Sequence, residues 1–315
     1  MENFIFSINS TMPIFLVILL GYVLKRIGML TEEFADVANK FCFNVALPVM
    51  LFKDISATNV KKDMDVRFFL FCLIVTIVMF GLVWSLSKLI IKDKSLVGAF
   101  AQAGARGSAA ILGVAFVENI CGDIGMTALM IVASVPFFNM LSVVILVCEG
   151  PNKNGQGASK LKNSIINIAK NPIIIGIILG LLASLVELKL PVILDRGLDY
   201  VGRTATPIAL IAIGAGFSFK EALTRLRPAI GASFIKLIGL PMIFLPIAMK
   251  LGFRDAEMVA ILVMLAAPTT VSSYVMAKSM DNDHVLASNA IVITTLASSV
   301  TLTLWVYILR CLGMI

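Results

Sequence analysis

Charged residues are scarce in this sequence: Asp, Glu, Lys and Arg make up 14% of its 315 residues, while 59% are apolar. A soluble domain carries about a quarter charged residues. A helix that crosses the hydrocarbon core of a membrane needs about 20 mostly apolar residues. The scarcity of charge therefore argues against a soluble protein and predicts an all-α integral membrane protein. Blocks with almost no charge lie at 14–24, 68–85, 126–148, 173–186 and 291–309.

Histidine is nearly absent, and the cysteines form no motif. His284 is the single histidine, and the five cysteines are scattered without a CxxC pair. We therefore expect no metal, no cofactor and no disulfide framework. An HExxH motif, paired aspartates within an apolar block and a Ser/His combination are also lacking, so we expect no enzyme. A receptor-like sensor would need a soluble output domain, and none is visible. No basic stretch precedes the first apolar block, which we expect to be a retained helix rather than a signal peptide.

Apolar blocks and helix breakers divide the chain into ten predicted transmembrane helices. A flexible polar stretch rich in Gly, Asn and Lys separates the fifth from the sixth. It predicts a first five-helix repeat at 1–149, a cytoplasmic linker at 150–162 and a second repeat at 163–315. The predicted helices lie at roughly 10–28, 33–56, 66–91, 96–119, 122–148, 164–187, 191–218, 227–251, 256–279 and 286–311.

The net charge of +7 could indicate a nucleic-acid partner in a soluble protein, but here it reflects membrane orientation. Cytoplasmic loops are enriched in Lys and Arg. The odd-numbered loops carry thirteen of these residues, whereas the even-numbered loops and both termini carry nine. This bias predicts a multi-pass protein of the cell (plasma or inner) membrane with both termini outside and the linker inside. We expect the lipid bilayer and a small solute as partners, and no nucleic acid.

The two halves of the chain resemble each other at a spacing of 159 positions. Because each half has five crossings, the second must be inverted relative to the first. Inverted repeats are typical of secondary transporters, with the binding site between the halves near the bilayer midplane. The pairs at this spacing are Pro13 and Pro172, Gly21 and Gly180, Asp36 and Asp195, and Pro48 and Pro207.

Arg106 lies in the middle of the fourth predicted helix, between Gly104 and Gly107. Ser108 follows Gly107 directly. An arginine at the bilayer centre costs about 2.5–3.5 kcal/mol on insertion scales. Glycines weaken a helix and let another backbone approach. The pattern predicts a substrate- or anion-binding element. The alternative is a structural arginine that pairs with Glu118 or caps carbonyl groups.

The ninth predicted helix is interrupted at Pro268, which is followed by the hydroxyl residues Thr269, Thr270 and Ser272. Proline removes a helical hydrogen bond and frees the carbonyl of Met264. The hydroxyls can satisfy freed carbonyls or bind a ligand. A simple kink is the alternative. The interruption occupies the place in the second half that Arg106 occupies in the first, and paired interruptions indicate a transporter site.

Other polar residues in apolar segments admit two interpretations each. Asp199, Arg203 and Thr206 share one helical face, which could line a cavity or hold an internal ion pair. The amide of Asn139 could bind a substrate or another helix. Lys236 is most simply a lysine whose ammonium group reaches the membrane surface. Two further candidates, Lys40 and Asn44, precede Pro48.

Taken together, these segments resemble the auxin efflux carrier family of membrane transporters, in its prokaryotic branch, which is related to the plant PIN proteins. The match covers essentially the whole chain. Two departures concern the fourth helix: Ser108 stands where the family often has Asn, and Ala115 where it often has Pro. The break must then depend on glycines 104, 107 and 113. The matching residues are Pro13 to Tyr22, Asn39 to Phe41, Ala46 to Phe52, Arg106, Gly107, Gly113, Pro136 to Asn139, Thr206, Pro207, Ala267 and Pro268.

The resemblance implies ten transmembrane helices in two inverted five-helix repeats, with broken helices four and nine crossing near the midplane, as in bile-acid symporters and NhaA. It also implies a scaffold domain, a transport domain and an anionic organic substrate. Known substrates in the family include auxin in plants and malate or malonate in bacteria.

We therefore expect a secondary transporter, for efflux or uptake, that moves a small organic mono- or dicarboxylate by alternating access. The alternative is a cation-coupled symporter or exchanger of the same architecture; it would need a buried carboxylate at the midplane, and neither helix four nor helix nine offers a well-placed one. The sequence leaves open whether the protein forms a homodimer. The predicted substrate-binding residues are Lys40, Asn44, Arg106, Gly107, Ser108, Asn139, Thr206, Pro268, Thr269, Thr270 and Ser272.

Overall fold

The computed structural model describes residues 2–57, 65–109, 117, 125–150 and 165–315. In those ranges the regular structure is helical, with no strand. The helices are α1 Glu2–Arg26, α2 Glu32–Ser56, α3 Val66–Ile90, α4 Val97–Ala105, α5 Gly125–Glu149, α6 Pro172–Leu185, α7 Val192–Arg203, α8 Ala205–Gly216, α9 Phe219–Thr224, α10 Leu226–Lys250, α11 Asp255–Ala266, α12 Ser272–Ser279 and α13 His284–Cys311. The predicted linker beyond Gly150 and residues Gly113, Ala115 and Glu118 lie outside the described residues.

The few polar residues between helices serve largely as N-caps. Thr31 accepts a hydrogen bond from the backbone N–H of Phe34 at the start of α2. The side chains of Asp65, Asn171 and Asp283 cap α3, α6 and α13 in the same way. Each cap satisfies backbone donors that the first helical turn leaves without partners. These residues therefore fix where the apolar helices begin.

Within the described ranges, five helices are long and apolar enough to cross a membrane: α2, α3, α5, α10 and α13. The shorter α6 is also strongly apolar. This is the pattern of a multi-pass helical protein, as the composition predicts. Other predicted spans are interrupted: α7 and α8 are separated at Thr204, and α11 and α12 are separated at 267–271. The full count of ten spans and their inversion stay predictions.

The predicted spacing of 159 positions recurs in the helix contacts. A Cβ atom added at Gly21 in α1 would overlap the carbonyl oxygen of Ile211 in α8. A Cβ atom added at Gly180 in α6 would lie 3.0 Å from the carbonyl oxygen of Phe52 in α2. Gly21 and Gly180 are 159 positions apart, and so are Phe52 and Ile211. Both helix pairs need glycine for close backbone approach. The spacing of 159 positions relates the glycine of each pair to the glycine of the other, and likewise the two carbonyl residues.

The apolar core has two main parts. One lies between α1, α2, α6 and α8 and reaches α12. The other lies between α3, α5, α10, α11 and α13. The short α4 packs against α3, α5, α10 and α13, and its residues 97–105 are all buried. The ends of α4 and α11 therefore lie deep inside the protein.

Candidate functional site

The interruptions that follow α4 and α11 meet each other. The residue after each helix is extended: Arg106 has φ −82° and ψ 131°, and Ala267 has φ −60° and ψ 142°. The backbone N–H of Ser108 donates to the carbonyl of Pro268 at 2.8 Å. We call these two segments, 105–109 and 266–272, the crossing. The predicted interruptions are thus in direct contact.

Carbonyl groups at or near the crossing accept hydrogen bonds from side chains. The Thr269 hydroxyl donates to the carbonyl of Ala103, at 2.9 Å. The Lys236 ammonium group donates to the carbonyls of Ala105 and Met264, each at 3.2 Å. Irregular backbone inside a membrane protein must find such partners, because no lipid group can supply them. The crossing is therefore held by specific side chains.

Gly107 is required by close packing at this point. A Cβ atom there would lie 2.9 Å from the carbonyl oxygen of Ala267 and equally close to Nζ of Lys236. Real Cβ atoms essentially never approach other atoms so closely. Gly104 is also tight, since its Cβ would lie 3.1 Å from Cγ1 of Val83. Close packing thus explains why glycine is needed at positions 104 and 107, beside the break that follows α4.

Arg106 is buried at the crossing, with 4% of its surface exposed. Its guanidinium group donates to Asn139 Oδ1 at 2.5 Å, to Ser272 Oγ at 2.7 Å and to Met276 Sδ at 2.5 Å. All three partners are neutral. No ion pair between described residues includes Arg106, and Glu118 lies outside them. A buried positive charge with neutral partners is costly, so an anion would find a favourable position beside it.

A central cavity of about 70 Å³ lies beside the Arg106 guanidinium. The helix α12 begins there at Ser272, and the N-terminal end of a helix carries partial positive charge. Guanidinium and helix end both contribute positive potential to this cavity, whose lining also includes Asp54. Six of the predicted site residues line it, namely Arg106, Gly107, Ser108, Asn139, Thr270 and Ser272.

A larger cavity of about 500 Å³, the vestibule, adjoins the central cavity. The two share Asp54 and Val135 in their linings. The vestibule walls are mostly apolar and come from α2, α5, α6 and α7. Two of its charged residues are held in ion pairs, Lys53 with Asp195 and Asp199 with Arg203. The central cavity is thus approached from the side where α2 ends.

Comparison with known proteins identifies the family. The family model described as "Membrane transport protein" matches residues 6–306. The chain belongs to this family, the auxin efflux carriers. It is 24% identical to the transporter YfdV of Escherichia coli (strain K12) over 97% of this chain and 98% of that protein. It is 28% identical to the "Putative malonate transporter" of Rhizobium meliloti (strain 1021) over 95% and 94%, respectively. It is 25% identical to the transporter MJ1031 of Methanocaldococcus jannaschii over 94% and 96%.

In this member of the family, five predicted site residues do not line the central cavity. Pro268 and Thr269 lie in the crossing but serve its backbone, with the Thr269 hydroxyl bound to a carbonyl. Lys40 and Asn44 line a second cavity of about 310 Å³, together with Asp36 and Lys278. Thr206 lines neither the central cavity nor the vestibule. Asp199 and Arg203, on the same predicted face, form an ion pair with charged groups 2.9 Å apart, and Asp199 also lines the vestibule, so each interpretation of that face is supported in part.

Sequence reasoning missed two residues, Lys236, which binds the crossing, and Asp54, which lines the central cavity. Lys236 was expected to reach the membrane surface, and that interpretation is wrong, because none of its surface is exposed. Its position in the middle of an apolar helix was the available signal. Asp54 contributes a carboxylate to both the vestibule and the central cavity. The adjacent Lys53 and Asp54 near the end of a predicted membrane helix could have marked that position.

Proposed function

We propose that the protein is a secondary carrier that moves a small organic anion, a mono- or dicarboxylate, across the cell membrane by alternating access. A substrate carboxylate would bind the Arg106 guanidinium at the crossing. One observation carries this proposal: Arg106 is buried beside a cavity and has only neutral partners among the described residues. Arginine binds carboxylates through two parallel hydrogen bonds, which gives both strength and orientation.

The sizes of the cavities favour a small anion. Water occupies about 30 Å³ per molecule in the liquid, so a cavity of about 70 Å³ accommodates a group of carboxylate size. The rest of the substrate would extend past Asp54 and Val135 into the vestibule. The Rhizobium relative, whose printed name includes malonate, supports a dicarboxylate as the first substrate to test.

Alternating access is supported by three cavities along α2. Lys40 and Asn44 line the second cavity, Met50 and Leu51 line the central cavity, and Lys53 and Asp54 line the vestibule. The second cavity lies at the far end of α12, where the Lys278 ammonium and the Asp36 carboxylate are 2.6 Å apart. We propose that in the described conformation the crossing is reached from the vestibule and is separated from the second cavity.

The orientation in the membrane follows from charge. We propose that both termini lie outside and the linker inside, in an inverted pair of five-helix repeats. The vestibule would then face outside. A cysteine introduced at Ser159, in a background lacking the native cysteines, should resist an impermeant thiol reagent in intact cells. Labelling of that cysteine from outside would reverse the orientation.

The test of the proposed function is substrate binding by purified protein. Calorimetry should detect binding of malonate or malate, and Arg106→Gln should weaken it by roughly tenfold to a hundredfold, the range for a charged hydrogen bond of about 1.5–3 kcal/mol. Arg203→Gln is the matched control, because Arg203 is largely exposed and paired with Asp199. Equal binding by wild type and Arg106→Gln would remove the anion site from the crossing.

A cation-coupled symporter or exchanger is the second candidate. The observation that favours it is Asp54, whose carboxylate lines both the central cavity and the vestibule. None of the ion pairs between described residues includes Asp54. Uptake of the anion into proteoliposomes, driven in separate experiments by a proton or a sodium gradient, distinguishes the coupled carrier from a uniporter.

A further inference from the structure

Lys236 lies in α10, in a short π-helical segment at Ile235–Gly239, and its side chain is fully buried. Its ammonium group donates to the carbonyls of Ala105 and Met264, each at 3.2 Å. The Phe138 ring centroid is 6.0 Å away. No ion pair between described residues includes Lys236. Its charge is therefore stabilised by carbonyl dipoles and an aromatic face.

The two carbonyls come from the ends of two different helices. Ala105 is the last residue of α4, and Met264 lies in the last turn of α11. The C-terminal end of a helix carries partial negative charge. Two such ends converge at this point, where they would repel each other without a cation between them. In transporters, half-helix C-terminal ends and unwound carbonyls are positions that coordinate monovalent cations.

We propose that Lys236 is a built-in cation of the crossing, which occupies the position where an exchangeable alkali cation would otherwise bind. Nζ lies so close to Gly107 that a Cβ atom there would be 2.9 Å from it, so this space is already filled. The crossing then needs no sodium ion to be stable. The inference rests on the proposed carrier function only for its transport consequence, which is that anion transport proceeds without sodium.

The test uses the thermal stability of the purified full chain, so it does not depend on knowing the substrate. Lys236→Ala removes three methylene groups and the ammonium group, which together correspond to propylammonium. We expect this variant to melt lower than wild type by roughly 5 °C or more. Propylammonium present from solubilisation onward should restore most of that loss, because it returns a cation of the right length. The neutral 1-propanol at the same concentration should not.

Sodium provides the second arm. Wild type should melt at the same temperature in sodium and in choline salts, whereas Lys236→Ala should be stabilised by sodium, which can reach the exposed carbonyls. Lys250→Ala is the matched control on the same helix, because Lys250 is exposed at its end. This variant should melt like wild type and respond to neither cation.

Three results would overturn the inference. One is a saturable rise of the wild-type melting temperature with sodium, which is measurable even if Lys236→Ala fails to fold. Another is a Lys236→Ala variant that melts like wild type. The last is equal rescue by propylammonium and 1-propanol, which would assign Lys236 a space-filling role. Failure of the protein to bind any organic anion would contradict the proposed function and leave these stability readouts intact.

Discussion

The carbonyl of Met264, which Pro268 leaves without a partner in its own helix, accepts a hydrogen bond from Nζ of Lys236 at 3.2 Å. Proline at this position cannot donate to the carbonyl four residues earlier. The lysine of α10 takes over that bond and also binds the end of α4 through Ala105. The break in α11 is thus one part of an arrangement that joins three helices at the crossing.

Pro268→Ala should therefore impair transport more than stability. Alanine restores an N–H that can bond Met264 and compete with Lys236, which would straighten the segment. We expect the initial rate of anion uptake into proteoliposomes to fall by about tenfold or more, equivalent to about 1.4 kcal/mol. The melting temperature should change little. Pro246→Ala is the control, because Pro246 lies in α10 with an exposed side chain.

Near-normal uptake by Pro268→Ala would show that the break is only a kink. Near-normal uptake together with a sharply lower melting temperature would also contradict the prediction, because the substitution would then impair stability more than transport.

Thr270 and Thr269 are adjacent hydroxyl residues with different surroundings, and this difference is testable. Thr270 lines the central cavity, where its hydroxyl lies 3.2 Å from that of Ser272. Thr269 is buried and binds the carbonyl of Ala103. Thr270→Val should raise the apparent KM for the anion by about threefold to tenfold, since a net hydrogen bond is worth about 0.5–1.5 kcal/mol. Its melting temperature should match wild type.

Thr269→Val is the matched comparison, and it should show the opposite pattern. Valine leaves the Ala103 carbonyl without a partner, which costs about 1–3 kcal/mol, so the melting temperature should fall. The KM should change little in the protein that remains folded. If both variants changed KM alike, the two hydroxyls would share one role and the geometry would be wrong.

The sequence predicts the two interruptions and several residues of the central cavity. Arg106 and Pro268 are unusual residues within membrane helices, so each can be recognised from the sequence without knowing its spatial neighbours. The sequence does not show which way each side chain points within irregular backbone, because no helical periodicity applies there. Thr269 and Thr270 therefore look equivalent in sequence. The burial of Lys236 depends on which face of α10 packs on the crossing, which is a property of tertiary contacts.

The ion pair between Asp36 and Lys278 should hold the second cavity closed. The charged groups are 2.6 Å apart and partly exposed, and Asn39 adds a hydrogen bond to Ser279 at 2.9 Å. Asp36→Asn should shift the equilibrium towards the state in which this side is open, by at most about fivefold for an exposed pair of about 1 kcal/mol. The readout is the labelling rate of a cysteine placed at Asn44, in a background lacking the native cysteines.

Glu32→Gln is the control for this shift, because Glu32 forms an ion pair with Lys25 at 2.9 Å and lines neither cavity. Its labelling rate at position 44 should equal that of the parent. A slower rate in Asp36→Asn than in the parent would show that the pair favours the open state.

Asp54 supplies the test for proton coupling. Its carboxylate lines the central cavity that also contains the Arg106 guanidinium. Among the described residues, the charged groups around it are Lys53 on its own helix, Asp195, Asp199 and Arg203 on α7, and Arg106; α6 contributes no charged residue. An ionised carboxylate there would repel a substrate anion, so protonation should favour binding. The affinity for malonate should then fall as pH rises, by at most about tenfold per pH unit, the limit for one linked proton.

Asp54→Asn should remove this pH dependence and bind the anion at high pH as tightly as wild type does at low pH. It should still exchange internal for external anion in proteoliposomes, but an imposed pH gradient should no longer drive accumulation. Asp199→Asn, which changes the other carboxylate of the vestibule, should retain both the pH dependence and the accumulation. Loss of the pH dependence in Asp199→Asn alone would show that the coupled proton binds Asp199 on α7 and not Asp54. An unchanged profile in both variants would leave the anion carrier without proton coupling at this cavity.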